Sequence, residues 1–161
     1  DDIEAMNNLI EWLPKNIPDD DETTIVHGDY RLDNMILRNN EVIGILDWEL
    51  STLGHPIADF SYHCLSWRTQ EAFWDEAKLK ELGIPSEKEY MEMYCKYSGK
   101  DLSKNWEFYM AFNMFKIAGI LQGILGRVRD GTAASKHAEE RGNMVFPLSQ
   151  AAWETIENNF L

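Results

Sequence analysis

The sequence predicts an α+β fold, mostly helical, with a small β-hairpin region that carries a functional loop. Three observations predict it. Short β-branched and apolar runs between residues 23 and 46 are separated by turn residues, whereas from residue 56 onward the apolar positions recur at helical spacing. Asp29, Asn34 and Asp47 also fall at the ends of the predicted strands, where loop-borne chemistry is commonly sited. At 161 residues the chain suits one domain with a genuine hydrophobic core.

The elements follow in order. Glu4 to Leu13 places Met6, Leu9, Ile10 and Leu13 at helical spacing, and Pro14, Pro18 and the acidic run Asp19-Asp20-Asp21-Glu22 end that helix in a loop. Thr23 to Val26 reads as a strand leading into a loop over His27–Asn34. Met35 to Leu37 and Val42 to Leu46 read as two strands joined at Asn39-Asn40. Pro56 suits the first turn of a helix that runs to Trp67. Gln70 to Leu82 reads as a helix stopped by Gly83, and Ser86 with Glu89 forms a capping box for the next. Ser103 to Arg129 is a long apolar helix or a broken pair. Ala133 to Asn159 is helical with breaks expected at Gly142 and Pro147. Gly119, Gly123 and Gly126 lie inside a helical pattern with no preceding strand, so they are expected to serve close helix packing and not to form a phosphate loop.

Composition narrows the function classes. A hydrophobic share of 44% with 27% charged residues is ordinary for a soluble globular protein. The longest apolar region, from Phe108 to Val128, is interrupted by Asn113, Lys116, Gln122 and Arg127, which argues against a membrane span. A net charge of −13 argues against nucleic-acid or anionic-membrane partners. Cys64 and Cys95 form no CxxC pair and read as free thiols of a reducing compartment. The start at Asp1 shows no signal peptide and no initiator Met, so a cytoplasmic location and a cut or processed chain are expected.

The pattern Asp29-x4-Asn34, with Asp47 entering from a neighbouring strand end, supplies what phosphoryl transfer requires. One carboxylate orients the attacking hydroxyl and accepts its proton, while oxygen ligands hold magnesium on the phosphates. Asp29 is the candidate base, and Asn34 and Asp47 are the candidate metal ligands. Asp33 reads as a turn residue, and Trp48 as a packing residue. Trp67, Phe73, Trp74, Tyr90, Tyr94, Trp106, Phe108 and Tyr109 read mostly as core, with one or two lining an acceptor pocket. His63 and His137 read as ordinary helix histidines.

His27-Gly28-Asp29-Tyr30-Arg31-Leu32-Asp33-Asn34, together with Ile45-Leu46-Asp47-Trp48-Glu49, closely resembles the aminoglycoside phosphotransferase family, which has a protein-kinase-like fold. The stretches Leu50–Asp59 and Phe115–Ile124, with Arg127, resemble the subgroup found fused to some acyl-CoA dehydrogenases. The resemblance implies that Asp29 is the catalytic base, that Asn34 and Asp47 bind Mg2+, and that Glu49 is a further acidic residue near the metal or substrate. It implies that His27 and Asp59 brace the loop. ATP or GTP would be the phosphoryl donor, and the acceptor a small-molecule hydroxyl such as a hydroxyacyl-CoA, an aminoglycoside or a choline-like alcohol. His55 departs from the subgroup, which more often has an acidic residue there.

Such a fold also needs an N-terminal lobe with a phosphate-covering loop and a strand lysine. The residues before Asp29 lack that composition, so residues 1–161 are expected to be the C-terminal lobe, weak or inactive alone, with an N-terminal kinase lobe as its natural partner. The alternative is a non-catalytic substrate-binding or interaction module derived from such a lobe.

Overall fold

Strands and helices form in the expected order, with one strand more than the sequence announces. The computed structural model describes residues 2–68 and 76–160. In chain order the elements are α1 (Glu4–Trp12), β1 (Thr24–Val26), β2 (Met35–Arg38), β3 (Glu41–Ile45), β4 (Thr52–Gly54), α2 (Pro56–Cys64), α3 (Glu76–Glu81), α4 (Glu87–Ser98), α5 (Trp106–Arg129), α6 (Ala138–Asn143) and α7 (Val145–Phe160). They divide into two compact units, residues 20–106 and residues 1–19 with 107–161.

The unit of residues 20–106 holds all the strands, in two antiparallel ladders, β1 with β4 and β2 with β3. Asn39 and Asn40 both take left-handed backbone, at φ 49° and 63°, which is the two-residue turn that matches the twist of a hairpin. The β2–β3 register runs from Met35 opposite Ile45 to Arg38 opposite Glu41, with an irregularity between Ile36 and Leu37. β4 was not expected, because Thr52-Leu53-Gly54 is short and ends in glycine. It pairs Ile25 with Leu53, and each of these side chains is about 70% exposed. Leu37 and Val42 of the other ladder are exposed as well, as are Leu46 and Leu50 just beyond it, so the strand region leaves several apolar side chains uncovered.

Helix α2 starts at Pro56, as expected, and gives way to a 3-10 turn over Leu65–Trp67. His55 caps it, its Nδ1 accepting the Ile57 N–H at 3.2 Å, while its Nε2 lies 3.3 Å from Asp20. The Ser86–Glu89 capping box forms at the start of α4, which ends at Gly99 with φ 73°. Of the aromatics expected in the core, Trp106, Phe108 and Tyr109 are buried, whereas Trp67, Tyr90 and Tyr94 are part-buried: Tyr94 stacks on Phe60 with centroids 3.8 Å apart, and Trp67 on Tyr90 at 5.2 Å. Glu87 gathers Arg68, whose Nε lies 2.9 Å away, and the Trp106 indole N–H at 3.0 Å. The expected helix from Gln70, with Phe73 and Trp74, lies largely outside the described residues; α3 covers its end.

In the other unit, α1 packs along α7, with Trp12 against Phe108 at 6.1 Å and Phe160 at 5.1 Å. Ala5, Met6, Leu9 and Leu13 are buried, but Ile10 is exposed. Helix α5 is continuous, and it buries Met110, Ala111, Met114 and Ala118 at the three- and four-residue spacing of a core-facing stripe. By length and composition alone it is apolar enough to cross a membrane, so its scattered polar residues do not by themselves exclude a span, although a soluble core helix passes the same test. The break between α6 and α7 falls at Met144, which leaves Pro147 in the first turn of α7, where its missing N–H costs nothing.

The packing role expected for Gly119, Gly123 and Gly126 is not what the helix uses them for. Among the described residues, a Cβ at Gly119 or Gly126 would meet nothing within 4 Å, and one at Gly123 only the Arg127 guanidinium at 3.8 Å. Close approach occurs instead at Gly142, where a Cβ would lie 2.6 Å from Leu125 Cγ. Gly142→Ala is therefore expected to destabilise by about 1–3 kcal/mol through overpacking. Gly119→Ala should stabilise by about 1 kcal/mol through helix propensity. Denaturant midpoints of the two variants check both signs.

Candidate active site

The site begins with a backbone problem. After β1 the chain must turn sharply at Gly28, whose φ of 82° is strained for any L side chain and whose Cβ would lie 2.6 Å from the Leu50 carbonyl oxygen. The turn points two consecutive N–H groups at α2. Asp59 accepts both, Oδ2 from His27 and Oδ1 from Gly28, each at 2.8 Å. Hydrogen bonds to a charged acceptor are each worth about 1.5–3 kcal/mol. His27 is 3% exposed and ties the loop to the hairpin: its Nε2–H donates to the Leu46 carbonyl at 2.8 Å, and its Nδ1 accepts the Asp29 N–H at 3.3 Å. Those partners fix one tautomer.

Asp29 then stands at the head of the loop with its side chain 17% exposed. Asn34 reaches back through Nδ2 to the Asp29 carbonyl at 2.9 Å and to its Oδ2 at 3.0 Å. Arg31 Nε lies 3.4 Å from the same Oδ2, and the Tyr62 hydroxyl donates to Oδ1 at 2.8 Å. Burial, and then the bond to Asp29, push the Tyr62 phenol up to about 12, so it remains a donor throughout the neutral range.

The hairpin brings Asp47 to this loop. The Leu46 N–H donates to the Asn34 carbonyl at 2.8 Å, extending the β2–β3 pairing one step beyond Met35 and Ile45. Asp47 follows immediately in left-handed backbone at φ 63°, a conformation Asp tolerates better than most residues. Its exposed carboxylate makes no hydrogen bond or ion pair with the described residues, and the same holds for Glu49. Trp48 is half exposed, lies tilted against the His27 ring with centroids 4.7 Å apart and donates to the Ile45 carbonyl. Asp33 sits in the 3-10 turn Leu32–Asn34, near Arg31.

Among the described residues no group of three or more His, Cys, Asp or Glu converges. The donors near Asp29 nevertheless suit a hard cation such as Mg2+. Asn34 has its nitrogen end on Asp29, so its oxygen is the atom that would ligate, and Asp47 adds a carboxylate without a partner among the described residues.

Sequence reasoning missed Tyr62 and His63. His63 Nδ1 donates to the Tyr30 carbonyl at 3.1 Å, and its Nε2 accepts from the Tyr90 hydroxyl at 3.1 Å. The signal was present in the spacing: Asp59, Tyr62 and His63 stand at i, i+3 and i+4 on one helix face. Burial lowers the pKa of His63 from its ordinary 6.5. The unfolded state therefore binds the proton first, and the contribution of His63 to stability is full above about pH 6.5 and lost as pH falls below it. Denaturant midpoints between pH 8 and 5 should show this loss, and His63→Gln should flatten it.

Comparison with known proteins places this arrangement. The model of the phosphotransferase enzyme family matches residues 1–94. Acyl-CoA dehydrogenase family member 10 of Mus musculus is 43% identical over 159 residues, covering 94% of this chain and 15% of that protein. Member 11 of Homo sapiens is 39% identical over 166 residues, covering 99% of this chain and 21% of that protein. A crystal structure from Ralstonia eutropha, provisionally described as an aminoglycoside phosphotransferase, superposes with a TM-score of 0.89 at 47% identity, covering 98% of this chain and 50% of that one. This chain thus spans about a fifth or less of these curated relatives and half of the solved one. With its mostly helical body and small ladders, it has the architecture of the C-terminal lobe of a kinase-like enzyme, and it belongs to the phosphotransferase enzyme family.

Proposed function

We propose that the protein transfers the γ-phosphoryl group of ATP, or GTP, to a hydroxyl of a small molecule in a Mg2+-dependent reaction. The observation that carries this reading is the Asp29 carboxylate, held on one oxygen by Tyr62 and on the other by Asn34, one hairpin step from Asp47. Asp29 orients the acceptor hydroxyl and takes its proton. Asn34 and Asp47 would hold the cation, which when bound neutralises charge on the transferring phosphate. Asp59 and His27 keep the loop in place beneath them. The acceptor is a small alcohol: a hydroxyacyl-CoA, an aminoglycoside or a choline-like compound. The kinship with acyl-CoA dehydrogenase family members favours the first.

The partner we infer is an N-terminal kinase lobe of the same protein, carrying the nucleotide-covering elements. The exposed Ile25–Leu53 pair of one ladder and the exposed Leu37 and Val42 of the other support it, because apolar side chains left uncovered on this scale mark an interaction surface. A cytoplasmic location accords with the two free cysteines.

Two variants of the natural protein test the assignment. Asp29→Asn should lower kcat by at least about 100-fold while the protein stays folded; turnover near the parent's would remove Asp29 as the base. Asp47→Asn should weaken Mg2+-dependent nucleotide binding in calorimetry, and unaltered binding would remove Asp47 from the metal site.

A further inference from the structure

The acceptor positions on Asp29 can be counted. Each carboxylate oxygen accommodates about two donors. Oδ2 has Asn34 Nδ2 at 3.0 Å and Arg31 Nε at 3.4 Å, so it is fully engaged. Oδ1 has the Tyr62 hydroxyl at 2.8 Å and keeps one position. We propose, resting on the phosphotransferase reading, that the acceptor hydroxyl docks on Asp29 Oδ1 beside the Tyr62 phenol, and that Tyr62 positions that oxygen for transfer.

The step then balances as follows. The acceptor O–H bond breaks and its proton passes to Oδ1. The acceptor oxygen forms a bond to the γ-phosphorus, and the bond from that phosphorus to the bridging oxygen breaks. The nucleoside diphosphate leaves with the electron pair. Tyr62 keeps its own proton throughout and fixes the rotation of the Asp29 carboxylate, so that the open position on Oδ1 faces a constant direction.

Its hold is stiff for a local reason. Tyr62 lies on the face of α2 that carries Asp59 and His63, so the helix that grips the loop backbone at residues 27, 28 and 30 also grips the carboxylate. Tyr62 stays protonated across the working range, because burial and Asp29 together raise its pKa to about 12. Asp29, Arg31 and Asp59 are the charged groups that act on it.

Two measurements on the natural protein test the proposal. The first follows the Tyr62 ring by carbon NMR with pH. Asp29→Asn should bring its titration down from about 12 toward the ordinary 10; an unmoved titration would overturn the contact itself. The second compares kinetics. Tyr62→Phe should lower kcat about tenfold, the order expected for one hydrogen bond to a charged group. KM for the nucleotide should stay within about twofold and the melting temperature should fall by no more than a few degrees. Full activity, or a loss confined to KM, would overturn the positioning role. If Tyr62→Phe does not fold, the Asp29→Asn titration still decides whether the contact exists. A natural protein that transfers no phosphate to any alcohol would end the phosphotransferase reading and this proposal with it, and a coupled Tyr62 titration in that protein would mark the failure as one of function and not of geometry.

Discussion

The site depends on one carboxylate that is not itself expected to react. Asp59 collects the N–H groups of His27 and Gly28, which the sharp turn after β1 would otherwise leave without partners. An unpaired N–H in such a place costs about 1–3 kcal/mol, so the pairing selects one backbone path from many. Gly28 is the other half of the constraint, because the Leu50 carbonyl leaves no room for a Cβ and the positive φ excludes most side chains. Loop direction, and with it the direction of Asp29, is settled by backbone geometry before any ligand arrives.

A second constraint comes from the hairpin. The Asn39-Asn40 turn fixes the register of β2 on β3, and the register places Leu46 against Asn34. Asp47 therefore arrives beside the loop as a consequence of strand pairing, not of a search by a long flexible segment. His27 joins the two constraints, since its ring bridges the Leu46 carbonyl and the Asp29 N–H. Asp47 is exposed, Asp29 is partly so and Asn34 is buried beneath them; their carboxylate and amide oxygens are the kind that a phosphate-bound hard cation and an alcohol would meet.

Much of this was legible in the residues. The loop and hairpin could be read because glycine, asparagine and aspartate at those spacings permit few backbone solutions, and the Ser86–Glu89 box announced its helix directly. Other features could not be read. β4 is too short to carry a pattern and exists only because β1 offers it a partner. Tyr62 was not singled out: its spacing from Asp59 puts both on one face of α2, but only the packed structure shows that this face meets the loop. The glycines of α5 misled for the same reason: a helical pattern does not say which face has a neighbour, and among the described residues a Cβ on theirs would meet at most the Arg127 side chain of the same helix, whereas one at Gly142 would meet Leu125.

The central claim is that Asn34 and Asp47 form the cation end of a nucleotide site beside Asp29. The most direct measurement is paramagnetic broadening of the amide signals of the natural protein as Mn2+ is added with ATP. Broadening that centres first on Asn34 and Asp47, and vanishes with Asp47→Asn, is the predicted result. Broadening centred instead on the acidic run Asp19–Glu22, unaffected by that substitution, would contradict it.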